Sequence, residues 1–153
     1  MADLIQKIVE TIEPSISYDK LFPASAILKN GKIVDCVYFV NNPRLKGSYP
    51  MINIEDIADI KESPYRLPAK FANEIYERGE TSMCCIQFYI VVGDHKAFSY
   101  RSGGYVDFID LPEGYKMKDI FQVNQRFSFT KFDTKERRVK DFTWCLVDDD
   151  RLK

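Results

Sequence analysis

The sequence predicts a single α+β domain spanning residues 1–153, with a largely antiparallel sheet of meander hairpins and helices packed on one face. Its length of 153 residues suits one domain of ordinary size. Apolar residues make up 45% and aromatic residues 14%, a composition too apolar for disorder and favourable to half-buried strands. Segments of alternating polarity flank turn residues at several places, and no linker or internal repeat divides the chain.

The N-terminal segment predicts an amphipathic helix. Its apolar residues recur at helical spacing and fall on one face: Leu4, Ile5, Ile8, Val9 and Ile12. Charged and amide side chains occupy the other face, and Pro14 ends the pattern because proline cannot continue a helix.

A first hairpin and two short central helices follow. Asn30-Gly31 lies between two apolar runs and predicts a hairpin with a type I′ turn, in which both central residues take positive φ. Asn53 is a predicted cap for the first central helix, whose apolar side chains would face inward. The second begins at Pro68 and ends before Gly79, the usual positions of these residue types at helix ends.

The turn at residues 93–95 is predicted from strand register. A three-residue loop pairs Ile90 with Phe98, so that both face the core, whereas a two-residue loop would send Phe98 to the opposite face. His95 then closes the loop in the left-handed region, where histidine is tolerated better than most residues. The same reasoning predicts a second loop at residues 102–104, with positive φ at Gly104 and a third antiparallel strand that pairs Phe98 with Phe108.

This register creates an outer sheet face with two polar rows. Arg101 would lie diagonal to Asp107 and could pair with it. Tyrosines around an arginine are typical of interface hot spots. The predicted partner-binding residues are Gln87, Tyr89, Arg101, Tyr105 and Asp107. The alternative interpretation is a partly covered face on which a helix or the terminal strands rest.

No catalytic residue, metal site or cofactor is predicted. His95 is the only histidine, and Cys84 would lie roughly 25 Å down the strand from it, too far for a Cys-His dyad. The four cysteines show no C-x-x-C spacing, and the common phosphate-binding, nucleophile and zinc-protease motifs are absent. Carboxylate chemistry would require a deep pocket with at least two convergent titratable groups of shifted pKa, and no motif supports it.

A basic hairpin over residues 126–140 provides a second hypothesis. Its positive side chains outnumber the acidic ones, and interleaved phenylalanines could stack on single-stranded nucleic acid. The candidate nucleic-acid-binding residues are Lys135, Arg137, Arg138 and Lys140. A solvated, charged hairpin that protects an edge strand is the alternative.

Charge and hydropathy narrow the function classes. The net charge of -1 gives no global attraction to nucleic acid or anionic membranes. No signal peptide or apolar run of membrane-spanning length occurs, so we expect a cytoplasmic protein. These observations predict a small non-enzymatic protein-binding module, like an inhibitor, immunity protein or adaptor, with an unidentified protein partner and no membrane contact.

Overall fold

A computed structural model describes residues 2–47, 50–81, 83, 85–125 and 131–153. The chain divides into two compact units: unit 1 comprises residues 1–66 and 141–153, and unit 2 comprises residues 67–140. Each unit contains a β-sheet and a helix, which confirms the α+β class. Both sheets are mixed, however, so the predicted antiparallel architecture is only partly right.

The helices and strands of the described residues have the following bounds. The helices are α1 (Ala2–Thr11) and α2 (Ala69–Arg78). The strands are β1 (Ser15–Ile16), β2 (Lys20–Leu28), β3 (Ile33–Val40), β4 (Met51–Ile52), β5 (Ile57–Lys61), β6 (Ile86–Val92), β7 (Lys96–Ser102), β8 (Ile120–Asn124), β9 (Lys131–Arg138) and β10 (Thr143–Leu146). One-turn 3₁₀ helices cover Pro43–Leu45, Ile54–Asp56, Met117–Asp119 and Asp150–Leu152.

In unit 1 the N-terminal helix is confirmed. Ile5, Ile8 and Ile12 are buried in the core formed with one face of the sheet, while Leu4 and Val9 pack at its margin. The path through the sheet runs β1-β2-β3-β10-β4, and β5 also pairs with β2. Amphipathic spacing alone was sufficient to predict α1 because one apolar face requires burial.

The first hairpin is confirmed, but its turn differs from the prediction. Strands β2 and β3 pair antiparallel, and of the turn residues only Gly31 has positive φ, at 88°. The Gly31 N–H donates to the Leu28 carbonyl at 2.9 Å, and the Leu28 N–H donates to the Lys32 carbonyl at 2.8 Å. The loop therefore has three residues and ends at a left-handed glycine, instead of being a two-residue type I′ turn.

The first central helix was predicted too long. Asn53 caps it as expected, accepting a hydrogen bond from the Glu55 N–H at 3.0 Å, but it ends after one 3₁₀ turn. The chain then enters β5, which pairs antiparallel with β2. A register shift in this pairing allows Ile57 and Ile60, three residues apart, to be buried in the same core. A strand with a bulge can thus imitate helical spacing.

The basic hairpin predicted over residues 126–140, whose return strand was expected to include Phe142, Trp144 and Leu146, is wrong. Strand β9 belongs to the sheet of unit 2 and runs parallel to β7. Strand β10 belongs to unit 1 and runs parallel to β3 and β4. The predicted outgoing strand also includes residues 126–130, which lie outside the described residues. Parallel neighbours need long connections, so no local turn signal indicates them.

In unit 2 the sheet order is β8-β6-β7-β9. Helix α2 matches the predicted second central helix, and the backbone N–H of Gly79 caps its last turn. The helix buries Phe71, Ala72 and Ile75 in a core that includes Phe88 and the other inward residues of β6. Because side chains alternate between the two faces of a strand, the polar residues of β6 and β7 lie on the face opposite to this core.

We predict that the two units unfold together, as the expected single domain requires. Trp144, the only tryptophan, lies in unit 1 and reports on that unit by fluorescence, whereas far-UV circular dichroism reports on both. In two-state unfolding all probes report the same transition, so the fluorescence and dichroism transitions are expected to coincide. A second dichroism transition after the fluorescence change is complete would show that the units unfold separately.

Candidate functional site

The turn that orients the candidate site has the predicted form. Ile90 and Phe98 are partners in the antiparallel pair β6–β7, as a three-residue loop requires. His95 has φ of 63°, and it is the non-glycine residue with positive φ among those the structure describes. Its N–H donates to the Val92 carbonyl at 2.8 Å, and its ring lies 5.2 Å from the Phe121 ring. His95 is thus an exposed turn residue.

This geometry makes a prediction about His95. His95→Val is expected to lower the free energy of unfolding by about 1–2 kcal/mol, because a β-branched residue is strained in the left-handed region. His95→Gly should change it by less than about 0.5 kcal/mol, because glycine adopts positive φ without steric cost. Both variants lose the contact with Phe121, so urea denaturation of the pair isolates the backbone effect. Equal destabilisation by both would attribute the role of His95 to its ring instead.

The second predicted turn is not formed. Ser102 ends β7, and its hydroxyl accepts a hydrogen bond from the Gly104 N–H at 3.1 Å and donates to the Tyr105 carbonyl. Neither Gly103 nor Gly104 has positive φ. The chain after Gly104 leaves the sheet, and its four residues 106–109 are all buried. The predicted third antiparallel strand of the meander is therefore not among the described strands.

Strand β9 takes the place of the predicted third strand. Arg138 lies opposite Arg101, where Tyr105 was expected, and Glu136 lies opposite Ser99, where Asp107 was expected. The predicted diagonal pairing of Arg101 with an acid is therefore found with a different acid. We call this surface the outer face and define it by Gln87, Tyr89, Arg101, Glu136 and Arg138.

Glu136 links the polar residues of the outer face. Its Oε1 lies 3.6 Å from the Arg101 Nε, and its Oε2 accepts a hydrogen bond from the Gln87 Nε2 at 3.2 Å. Arg101 and Glu136 keep 50% and 42% of their side chains exposed, and Arg138 is also exposed. Tyr89 is half-buried, so it adds apolar contact area beside the charges. Of the outer face, Arg101, Glu136 and Arg138 are exposed and carry two positive charges against one negative, whereas Val91, Ala97 and Ser99 on the same side of the sheet are buried.

Tyr105 and Asp107 do not belong to the outer face. Tyr105 is half-buried in the segment after β7, and Asp107 is fully buried. The Asp107 Oδ2 accepts a hydrogen bond from the Tyr76 hydroxyl of α2 at 2.5 Å, and that hydroxyl accepts one from the Val106 N–H at 2.9 Å. Asp107 therefore joins the segment to α2 and is inaccessible to a partner.

The four predicted nucleic-acid-binding residues do not form one exposed patch. Lys135 and Arg138 are exposed, whereas Arg137 and Lys140 are half-buried. The Arg137 guanidinium lies 5.1 Å from the centre of the Phe98 ring, a cation–π contact within the protein. The basic surface is thus smaller than the sequence indicated, and Glu136 lies within it.

Unit 1 contains a cleft of about 580 Å³ between α1, the β2–β3 turn and residues 54–59. Lys7 Nζ donates to Asp59 Oδ1 at 2.6 Å, and this bond, with a second from the Ile60 N–H, holds the pKa of Asp59 below its usual value. A carboxylate kept ionised in this way cannot donate a proton near neutral pH. The two convergent titratable groups that carboxylate chemistry would require therefore find no support in this cleft.

The Lys7–Asp59 pair gives a testable pH dependence. Because the folded pKa of Asp59 is depressed, the pair stabilises the fold above the ordinary pKa, and this contribution is lost as the pH falls through the folded value. Lys7→Met should raise the pKa of Asp59 towards 3.8, measured by NMR titration of the carboxyl carbon. Glu10→Gln, an exposed change on the same helix, should leave that pKa unchanged. An unshifted titration in Lys7→Met would contradict the assigned cause.

The described cysteines are largely shielded from solvent. Cys36 and Cys145 are buried, and Cys85 is half-buried. Burial raises the pKa of Cys145 to about 12, so its thiol stays protonated at neutral pH. Cys84 lies outside the described residues. Within the described part of the chain, no three histidine, cysteine, aspartate or glutamate side chains are grouped as a metal site would need.

The functional inference rests on the geometry of the described residues, because comparison with known proteins gives no match. No protein-family model, no curated protein and no solved structure matches this chain. Among the residues that the structure describes, no helix has the length and apolar character needed to cross a membrane. The class that can be stated is an α+β protein with two mixed sheets and an exposed, arginine-containing sheet face.

Proposed function

We propose that the chain is a small cytoplasmic, non-enzymatic protein-binding module, of the inhibitor, immunity-protein or adaptor kind, which uses the outer face to bind an acidic partner surface. The observation that carries the proposal is the row of Gln87, Arg101 and Arg138 across three strands, in which both arginines are exposed. Free cysteines in the described chain suit a reducing compartment.

Charge and composition support an acidic partner. Arg101 and Arg138 carry two positive charges against one on Glu136, and Lys135 next to them is exposed. Complementary charge steers association and selects partners, although it adds less to affinity than to rate and specificity. Tyr89 supplies the aromatic area typical of interface hot spots. The side chains also rest on a sheet, which orders them before binding and reduces the entropy cost of association.

Affinity capture with matched charge variants tests the proposal. The tagged protein, Arg101→Glu and Lys118→Glu are each incubated with lysate of the source organism, with and without nuclease. Lys118 is exposed in the same unit and is not one of the residues that define the outer face. Its variant has the same change of charge as Arg101→Glu. We expect the wild type and Lys118→Glu to retain a stoichiometric protein after nuclease treatment, and Arg101→Glu to lose it. Equal retention by all three would exclude the outer face as the site.

Nucleic-acid binding is the second candidate, and exposed Lys135 and Arg138 are the observation in its favour. It requires affinity that falls steeply with salt, because neutralised phosphates release counterions. Glu136 opposes it by placing a negative charge between the same cations. Retained nucleic acid that nuclease removes, with no protein left, would favour this candidate over the first.

A further inference from the structure

The cleft of unit 1 has the features of a ligand site that is independent of the outer face. Its volume of about 580 Å³ falls within the range of small-molecule pockets. Part of its lining is apolar, from Leu4 of α1 and from Ile54 and Ile57 of the facing segment. Charged side chains complete the lining. We propose that this cleft binds an organic ammonium group attached to an apolar body.

The charges in the cleft favour a cation. Three carboxylates line it, from Asp3, Glu55 and Asp59, against the two ammonium groups of Lys7 and Lys29. Lys7 is already paired with Asp59 at 2.6 Å, so those two charges largely cancel. Two carboxylates then remain against Lys29 alone. A ligand with one positive charge would balance the lining, whereas an anion would add to the excess of negative charge.

The apolar lining determines the body of the ligand. Leu4 and Ile54 are half-buried, so an alkyl chain laid against them would remove further apolar surface from water, whereas Ile57, 4% exposed, has little surface left to cover. An inorganic cation would leave this surface uncovered. The described chain also lacks a grouping of three metal-ligating side chains here. The combination of an apolar wall and an acidic margin therefore points to an amphipathic amine.

Three probes with the same body test the charge preference. Hexylammonium, hexanol and hexanoate are titrated separately into the ¹⁵N-labelled full chain and followed by amide chemical shifts. We expect saturable shifts from hexylammonium, centred on residues 3–7, 29 and 54–59, with binding at least about threefold tighter than that of hexanol, and none from hexanoate. Absent saturation, or hexanoate binding as tightly as hexylammonium, would overturn the proposal.

Two variants with opposite effects make the test specific. Glu55→Gln should weaken hexylammonium binding about threefold or more, because it removes one of the two uncompensated carboxylates. Lys7→Met should strengthen it, because it releases Asp59 for the ligand. Glu13→Gln removes an exposed carboxylate of unit 1 that does not line the cleft, and it should bind like the wild type. Equal affinity of Glu55→Gln and Glu13→Gln would contradict the assigned role of the cleft.

A fourth probe identifies the source of the ammonium group. Nα-acetyl-lysine methylamide presents the same charge on a peptide unit. Tighter binding than hexylammonium would assign the site to a lysine side chain of another protein, and weaker binding would assign it to a free amine. Either result agrees with the ammonium site. Because the outer face and the cleft lie in different units and prefer opposite charges, the failure of one proposal leaves the other intact.

Discussion

Tyr76→Phe is expected to lower the free energy of unfolding by about 2 kcal/mol, and Tm by about 4–8 °C, although it removes a single oxygen atom. The Tyr76 hydroxyl donates to the fully buried Asp107 carboxyl and accepts from the Val106 N–H. Phenylalanine can replace neither bond. Removing the hydrogen-bond partner of a buried group costs more free energy than removing that of a surface group, because no water can replace the partner of the buried group.

Tyr115→Phe is the matched control for this prediction. It deletes the same atom in the same unit, but the Tyr115 hydroxyl contacts the exposed Asp94 carboxylate at 3.4 Å. We expect a change below about 0.5 kcal/mol, since water can replace a partner at the surface. Chemical denaturation of both variants measures the difference. If Tyr76→Phe were no less stable than Tyr115→Phe, the Tyr76 hydroxyl would not be needed to satisfy the buried carboxyl.

The Tyr76 experiment also bears on the predicted site. Asp107 was predicted to contact a partner, but its burial means that Asp107→Ala would reduce binding only by destabilising unit 2. The burial of Asp107 could not be predicted because alternation assigned this residue to the outward side of a strand. That strand does not form. A buried carboxyl whose partners come from a helix 31 residues away leaves no local pattern to detect.

Local patterns predicted the elements that depend on local physics. Helix α1 follows from one apolar face, and the three-residue turn at residues 93–95 follows from matching core residues across β6 and β7. His95 takes positive φ because a three-residue loop in this register ends with a residue in the left-handed region. The parallel pairings of β9 and β10 were missed because their neighbours are distant in sequence. Pairings of this kind are decided by tertiary packing, not by a turn.

Only part of the outer face was predicted, because only some of its residues lie on strands whose pairing follows from a local turn. Gln87, Tyr89 and Arg101 lie on β6 and β7, whose register could be derived, and they do share one face. Glu136 and Arg138 were missed because they come from β9, whose residues the sequence placed around the loop of a hairpin. The run "KERR" was interpreted only as a basic surface. Its alternation, with Glu136 and Arg138 two residues apart, was the signal that both could join a single sheet face.

Substitutions of Arg101 and of Glu136 should change the affinity for the proposed partner in opposite directions. Arg101→Glu is expected to weaken binding of an acidic partner at least tenfold, because it replaces attraction with repulsion. Glu136→Gln should instead strengthen it by about threefold, since the Arg101 guanidinium loses its internal competitor at 3.6 Å. Calorimetry with the captured partner measures both effects.

Opposite effects of the two substitutions on affinity distinguish a role in binding from general destabilisation, which would weaken binding in both variants. Glu113→Gln removes an exposed carboxylate elsewhere in unit 2 and controls for the change in total charge. An increase in Glu136→Gln that Glu113→Gln does not share would locate the effect at the outer face. If Glu136→Gln weakened binding while Arg101→Glu strengthened it, the partner would present a basic surface. Unchanged affinity in both would mean that the partner binds elsewhere and that the Arg101–Glu136 pair serves only the sheet.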